Sequence, residues 1–396
     1  MPGVGASTAG LSSAAALSPP AGAATRMNKA FEGLRIGLVG PLAPPAGGMA
    51  NQTRQLRELL EAERATVTMV QTNRPYSPAW AGRLPVLRAL FRLLPYLWAL
   101  WRAAGQVELI HLMANSGWAW HLFSTPAIWI ARLRGVPVVV NYRGGEAGDF
   151  LARSAALVRW SMRRTALLAV PSGFLEQVFR QHGMASVVVP NIIDLSRFRP
   201  GEHARGADGA HLMVARNLEP IYDNATGLRA FAQVHRARPD ARLTIAGSGP
   251  ELALLQGLAT ELGVAAAVHF AGRLDRDAMA ALYRSADVCL NPSLADNMPN
   301  SLLEAMASGV PVVSTRVGGV PFIVEHDKTA LLVAAGDAPA MADAALSLLD
   351  DPARWARLSR AGLADVQSYT WARVAPVLGG VYRRVLEQPP VVPLVS

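Results

Sequence analysis

The pentapeptide Gly-Val-Pro-Val-Val occurs twice in this chain, at residues 135–139 and 309–313. Each copy is a run of β-branched residues without polar alternation. Such a strand is apolar on both faces, as in a parallel sheet covered by helices on both sides. The glycine stops a preceding helix, and proline fits the first position of a strand. Copies this far apart do not make a solenoid, whose period lies between about 20 and 50 residues. They point to two similarly built, doubly wound α/β domains, and a length of 396 residues asks for at least two domains.

The second copy closes a longer stretch, Asn291 to Gly319: NPSLADNMPNSLLEAMASGVPVVSTRVGG. The apolar run ending in Cys289–Leu290 predicts a strand. A polar loop follows, then a helix from about Pro299 to Ser308, stopped by Gly309, and a strand over Val310–Ser314. In an open α/β sheet the loop and the helix start lie in the crevice at the carboxyl ends of the strands, where ligands bind. Free N–H groups and the positive end of the helix dipole suit a phosphate there. Asp296 lies in the loop and Glu304 in the helix, with seven residues between them.

This stretch resembles the donor-binding signature of the family 4 (group 1) glycosyltransferases, which have the GT-B fold: two Rossmann-like doubly wound domains facing across a cleft. The signature is Glu-x7-Glu, a helix, a Gly-Val-Pro-Val-Val strand and a Gly-Gly turn. The resemblance implies that Glu304 takes the ribose hydroxyls of a nucleotide sugar, that Asp296 meets the sugar, and that the loop of Asn297, Met298, Pro299 and Asn300 lines the diphosphate with its free amides. Asp296 stands where the family usually has Glu, one methylene longer. The family's Gly-Gly loop matches Gly47-Gly48, between a strand at 34–40 and a helical pattern from Asn51 to Arg64. Its diphosphate-neutralising Arg matches Arg216, after the strand His211–Ala215. The Lys that usually follows is absent, and Ile221 stands near its place; Arg273 is a candidate substitute. Many members carry His after the first-domain copy of the repeated strand. Here Asn141-Tyr-Arg-Gly-Gly puts Arg143 there, to contact phosphate or acceptor; guanidinium stays protonated and is no base. His111 and Asn115 are either structural or, with Asn141, part of the acceptor side.

The resemblance runs from about residue 34 to 387 and implies these boundaries. Residues 1–30, rich in Ala, Gly, Ser and Pro, form a disordered extension, with Met27 an alternative start. The acceptor-side domain spans 31–200, the linker 201–209 and the nucleotide-sugar domain 210–368. A helix over 369–388 crosses back to the first domain. Asn191, Asp194 and Phe198 mark the hinge and are expected to pack there.

The formal charge is +9. A basic chain seeks anions: nucleic acid, an acidic membrane surface or phosphate-rich substrates. No nucleic-acid recognition motif is present. Residues 83–104, RLPVLRALFRLLPYLWALWRAA, place Arg88, Arg92 and Arg102 on one helical face among Leu, Phe and Trp. The stretch reads either as a helix lying on an anionic membrane surface or as a core helix with exposed arginines. Pro95 is expected to kink or split it. Trp80, Trp98, Trp101, Trp118, Trp120, Trp129 and Trp160 fall in the same domain, and Arg153, Arg159, Arg163 and Arg164 predict a second basic helix. The lone Cys289 excludes an intrachain disulfide and reads as a buried apolar residue. Asp275 and Asp277 open a helical pattern and read as capping rather than as metal ligands.

The expected function is a retaining, metal-independent transfer from a nucleotide-sugar co-substrate, without further cofactor, to a lipid-linked or polysaccharide-precursor acceptor in bacterial cell-surface glycan synthesis. The expected place is cytoplasmic, peripheral on the inner face of the membrane. The catalytic candidates are Asp296, Arg216 and Arg143. A nucleotide-sugar epimerase of the same fold and a catalytically degenerate membrane scaffold are the alternatives.

Overall fold

The structure is a computed structural model that describes residues 30–44, 47–76, 80, 87–201 and 209–387. The 1–30 extension (but for its last residue), most of the 201–209 linker, residues 83–86 and the last residue of the closing 369–388 segment lie outside them. The first domain runs β1 Arg35–Gly40, α1 Gly48–Ala62, β2 Thr66–Gln71, α2 Leu87–Ala104, β3 Leu109–Ala114, α3 Thr125–Leu133, β4 Val138–Tyr142, α4 Ala147–Met162, β5 Leu167–Val170, α5 Gly173–Gln181 and β6 Val187–Val188. The second runs β7 His211–Ala215, α6 Asn224–Ala237, β8 Arg242–Ala246, α7 Leu252–Glu261, β9 Val268–Gly272, α8 Arg276–Ser285, β10 Val288–Asn291, α9 Asn300–Ala307, β11 Val312–Thr315, β12 Leu331–Val333, α10 Ala338–Asp350 and α11 Pro352–Asp365. A last helix, α12, spans Trp371–Glu387.

Both six-stranded sheets are parallel, in the orders β2-β1-β3-β4-β5-β6 and β12-β11-β10-β7-β8-β9. The order reverses between β1 and β3 in the first sheet and between β7 and β10 in the second. At such switch points the connections leave in opposite directions and open a crevice. The all-apolar strands have the predicted cause. β4 sends Val138, Val140 and Tyr142 into the core on one side and Val139 into the core on the other. β10 does the same with Val288 and Leu290 against Cys289. Every position of such a strand is buried, so alternation has nothing to signal.

The closing helix packs on the first domain. Val374, Leu378, Val381 and Tyr382 of α12 join the first-domain core with Ile36, Leu38 and Leu60, and Trp371 stacks on Phe31 at 5.5 Å. Asp275 caps α8, accepting from the amides of Asp277 and Ala278 at 3.0 and 2.8 Å, and Asp277 pairs with Arg197. Pro95 does not split its helix: α2 continues through it. Trp120, one of the seven tryptophans of this domain named above, is fully buried. Among the described residues no helix is long and apolar enough to cross a membrane.

Candidate active site

The carboxyl ends of the two sheets face each other across a cleft of ≈ 430 Å³. From the second domain, Arg216 follows β7 directly. Its guanidinium pairs with Asp296, and the two side chains are only 10% and 12% exposed. Its Nε donates to Asn291 Oδ1 at 2.6 Å, and its plane lies 5.1 Å from the Tyr222 ring centroid. Asn291, the last residue of β10, is itself fixed by donating to Ser314 Oγ at 2.8 Å. Burial holds the Asp296 carboxyl above its ordinary range, and Arg216 draws it back.

The 292–299 loop is braced from behind. The Gly319 amide donates to Asp296 O at 2.8 Å. A Cβ on Gly319 would stand 1.7 Å from Asn297 O, and one on Gly318 2.1 Å from Asp296 O. Only glycine admits so close a backbone, which is the physical reason for the Gly-Gly turn. After the loop α9 begins with no side-chain cap. Glu304, one turn inside, lines the cleft. Burial pushes its carboxyl up to about 7, against the Tyr283 hydroxyl and Arg216, which favour the anion.

From the first domain, Gly47 and Gly48 start α1 at the cleft. A Cβ on Gly48 would lie 3.8 Å from Asn300 Nδ2, so the N-termini of α1 and α9 meet across the domain boundary. Arg143, just past β4, also lines the cleft. Its Nε donates to Asn141 Oδ1 at 3.2 Å, and its Nη1 donates to Asn191 Oδ1 and, at 3.5 Å, to Gln52 Oε1. Asn191 donates to Asn300 Oδ1 at 2.7 Å and to Met298 O at 3.1 Å, and Gln52 donates to Asn300 Oδ1 at 3.3 Å. Asn297 Nδ2 donates to Gly144 O. A ladder of amides thus ties the first domain to the 297–300 segment.

Gly47, Gly48, Arg143, Arg216, Asp296, Asn297, Met298, Pro299, Asn300, Glu304 and Asn115 all line this one cleft. Two of the acceptor-side residues do not. His111 lies in the middle of β3, fully buried, bonded through Nε2 to Asn141 at 3.0 Å and through Nδ1 to the Tyr382 hydroxyl at 2.8 Å. Burial, then Arg143, pushes it down to about 3, so it is neutral and does not titrate near neutrality. Asn141 is buried behind Arg143 and orients it. Sequence reasoning missed Gln52 and Asn291, and gave Asn191 only a packing role. Gln52 and Asn191 act through a partner in the other domain, at separations of 248 and 109 residues, and no local pattern marks such a pair. Arg273, exposed at the rim, donates to Ser248 Oγ at 3.4 Å.

Two facing helix starts and two arginines make an anion site, and a half-buried carboxylate one turn away makes a hydroxyl acceptor. Residues 46–197 match the family model described as Glycosyltransferase Family 4, and residues 211–351 the one described as Glycosyl transferases group 1. A D-inositol 3-phosphate glycosyltransferase of Segniliparus rotundus is 31% identical over 284 residues, 65% of this chain and 63% of that protein. The matched stretch spans between 48% and 63% of the length of three such relatives. Among solved structures, sucrose-phosphate synthase from Thermosynechococcus elongatus superposes with a TM-score of 0.72 at 23% identity, over 89% of this chain and 99% of that one. Anabaena HepE in complex with UDP-glucose does so with 0.68 at 17% identity, over 88% and 99%. Both domains are matched, each by a model of the same enzyme group, and the paired parallel sheets agree with the superposed folds: the chain belongs to the family 4, group 1 glycosyltransferases and has their GT-B fold.

Proposed function

We propose that the protein moves a sugar from a nucleotide-sugar donor to a lipid-linked or polysaccharide-precursor acceptor in bacterial cell-surface glycan synthesis, with retention at the anomeric carbon and without an essential metal. The observation that carries this reading is the convergence of the α1 and α9 starts with Arg216, Asp296 and Glu304 in one cleft. The ribose hydroxyls donate to Glu304. The diphosphate lies toward Gly48, Arg216 and the 297–300 amides, with the sugar against Asp296. Arginine charge at the cleft supplies the neutralisation that such a leaving group needs. The acceptor hydroxyl attacks from the face of the departing diphosphate, whose oxygen takes the proton. This route suits a cleft whose first-domain cation, Arg143, is no base and whose candidate histidine, His111, is sealed in the core. The bound form of the superposed HepE, named with UDP-glucose, supports the class of donor.

The test is a thermal-shift panel of UDP-, GDP- and ADP-sugars. A ligand that binds only the native state at a hundredfold excess over its Kd adds about 2.7 kcal/mol, a rise of a few degrees at this size. One nucleotide series is expected to stand out. A flat panel discards the transferase and leaves the scaffold.

The membrane part of the proposal rests on one face of the first domain. Trp98 and Trp101 of α2 are 65% and 46% exposed, and Trp160 of α4 is 45% exposed. Arg102 sits over Trp98 at 5.5 Å, Arg134 over Trp101 at 4.9 Å, and Arg164 over Trp129 and Trp160 at 4.1 and 4.5 Å. Exposed indoles edged by arginine are what an anionic bilayer interface takes up. We expect sedimentation with phosphatidylglycerol vesicles at low salt and not with phosphatidylcholine alone. Each arginine removed, Arg102→Gln or Arg134→Gln, is expected to weaken binding about fivefold, the equivalent of about 1 kcal/mol. Equal binding to both vesicle types, or to neither, overturns this placement on the inner, cytoplasmic leaflet.

A further inference from the structure

The two arginines of the cleft are in opposite electrostatic states. Arg216 is neutralised by Asp296 and spends its Nε on Asn291. Arg143 has no carboxylate partner among the described residues. Its bonds run to the side-chain oxygens of Asn141, Gln52 and Asn191, all neutral amides. They use Nε and Nη1, and Nη2 gives no hydrogen bond to the protein among the described residues. Burial draws the guanidinium down to about 10, which still leaves it charged at neutral pH.

Arg143 is half-buried, and an uncompensated cation drawn even partly from water costs free energy that an anionic ligand would offset. The amides do what a positioning shell does: they fix the plane of the fork and leave its outer edge to the cleft. An arginine so held still offers its charge and the two N–H donors of Nη2 to an oxyanion. The starts of α1 and α9 add their dipoles at the same place, since Gln52 lies on the first turns of α1 and Asn300 begins α9. The absence of Lys near Ile221 points the same way, because the second domain has one cation fewer to offer.

We infer that Arg143 is the phosphate-binding cation of the first domain, taking a phosphate group that bridges the two domains, and that it replaces charge which Arg216, held by Asp296, does not give. The inference rests on the proposed nucleotide-sugar site. The phosphate has two possible sources, the donor diphosphate or a phosphorylated acceptor. Gln52 and Asn191, which hold Arg143, also bond Asn300 and Met298, so a phosphate on Arg143 lies against the contact between the two domains.

The experiment is calorimetry on the full chain with UDP, GDP and ADP, each against its monophosphate, for the wild type, Arg143→Gln and Arg143→Lys. Inorganic phosphate is then titrated into protein saturated with the nucleoside monophosphate. If the donor supplies the phosphate, the preference for diphosphate over monophosphate falls at least tenfold in Arg143→Gln and partly returns in Arg143→Lys. If the acceptor supplies it, that preference is unchanged, and inorganic phosphate binds the wild type and not Arg143→Gln. Either result sustains the inference. It is overturned if Arg143→Gln, folded by its thermal transition, keeps both the preference and the phosphate binding within twofold. Absence of all nucleotide binding in the wild type instead removes the transferase reading, so the two failures are distinct.

Discussion

Glu304→Ala lowers nucleotide-sugar affinity about a hundredfold or more, while the fold survives. Two ribose hydroxyls donating to one ionised carboxylate are each worth about 1.5–3 kcal/mol, and a total near 3 kcal/mol corresponds to roughly two decades in Kd. The side chain sits on the cleft face of α9, whose other residues, Leu302, Leu303, Ala305 and Met306, hold the helix in the core. Glu304→Gln is expected to lie between, because an amide accepts from a hydroxyl with less strength than an anion. Calorimetric titration with the nucleotide found by the thermal panel reads both. An unchanged Kd in Glu304→Ala removes Glu304 from the site.

The same residue gives the binding a pH dependence of known sign. Its carboxyl is raised from 4.5 to about 7 by burial, and in the proposed site the ribose needs the anion. Affinity therefore climbs as pH rises from 5.5 through 7 and levels off above, and the slope vanishes in Glu304→Gln. Stability runs the other way. Between about 4.5 and 7 the unfolded chain has lost a proton that folded Glu304 keeps, so rising pH costs stability over that window. Glu304→Gln should raise the thermal midpoint of the ligand-free protein at pH 8 and leave it unchanged at pH 4. A site that is unstable when empty and tight when full is what a binding carboxylate in a low-dielectric wall produces.

How far the sequence discloses this site differs by residue. The strands were legible because both faces of a parallel sheet are covered, which leaves unbroken β-branched runs such as Val138–Val140 and Val312–Val313. That Glu304, Asp296 and the Gly-Gly turn come together was legible because they lie within one strand–loop–helix unit, whose spacing is fixed by the local backbone. Arg143 was legible as a departure that contacts phosphate or acceptor, and the choice between the two was not. What decides it is the neutral company that Arg143 keeps, drawn from β4, from α1 and from the stretch before the hinge. His111 shows the converse. It follows an apolar run and looks like a residue at a strand end, but β3 continues to Ala114 and carries it into the core. Three residues of strand length separate a cleft ligand from a buried hydrogen-bonding post for α12. The tryptophans divide in the same way: Trp120, which opens a π-helical segment over Trp120–Ser124, is buried, while Trp118 is 78% exposed.

The Arg216–Asp296 pair is expected to show coupling in both stability and catalysis, with different signs of additivity. Both side chains are about nine-tenths buried. Removing one leaves the other as an uncompensated charge in a low-dielectric wall, so Arg216→Ala and Asp296→Ala should each lose about 3–5 kcal/mol of stability, and the double variant less than either. Denaturant unfolding of the four proteins closes the cycle. Turnover behaves otherwise. In the proposed site Arg216 is the second-domain cation for the leaving diphosphate, and loss of one such preorganised donor is expected to cost about a hundred- to a thousandfold in kcat. Asp296 holds that cation in place through the pair, while Asn291 and Tyr222 fix it from the other side. The double variant should therefore be better folded than the singles and no more active than Arg216→Ala. Recovery of activity along with stability would mean that the pair serves the fold alone, and that the charge on the leaving group is met entirely from Arg143 and the two helix starts.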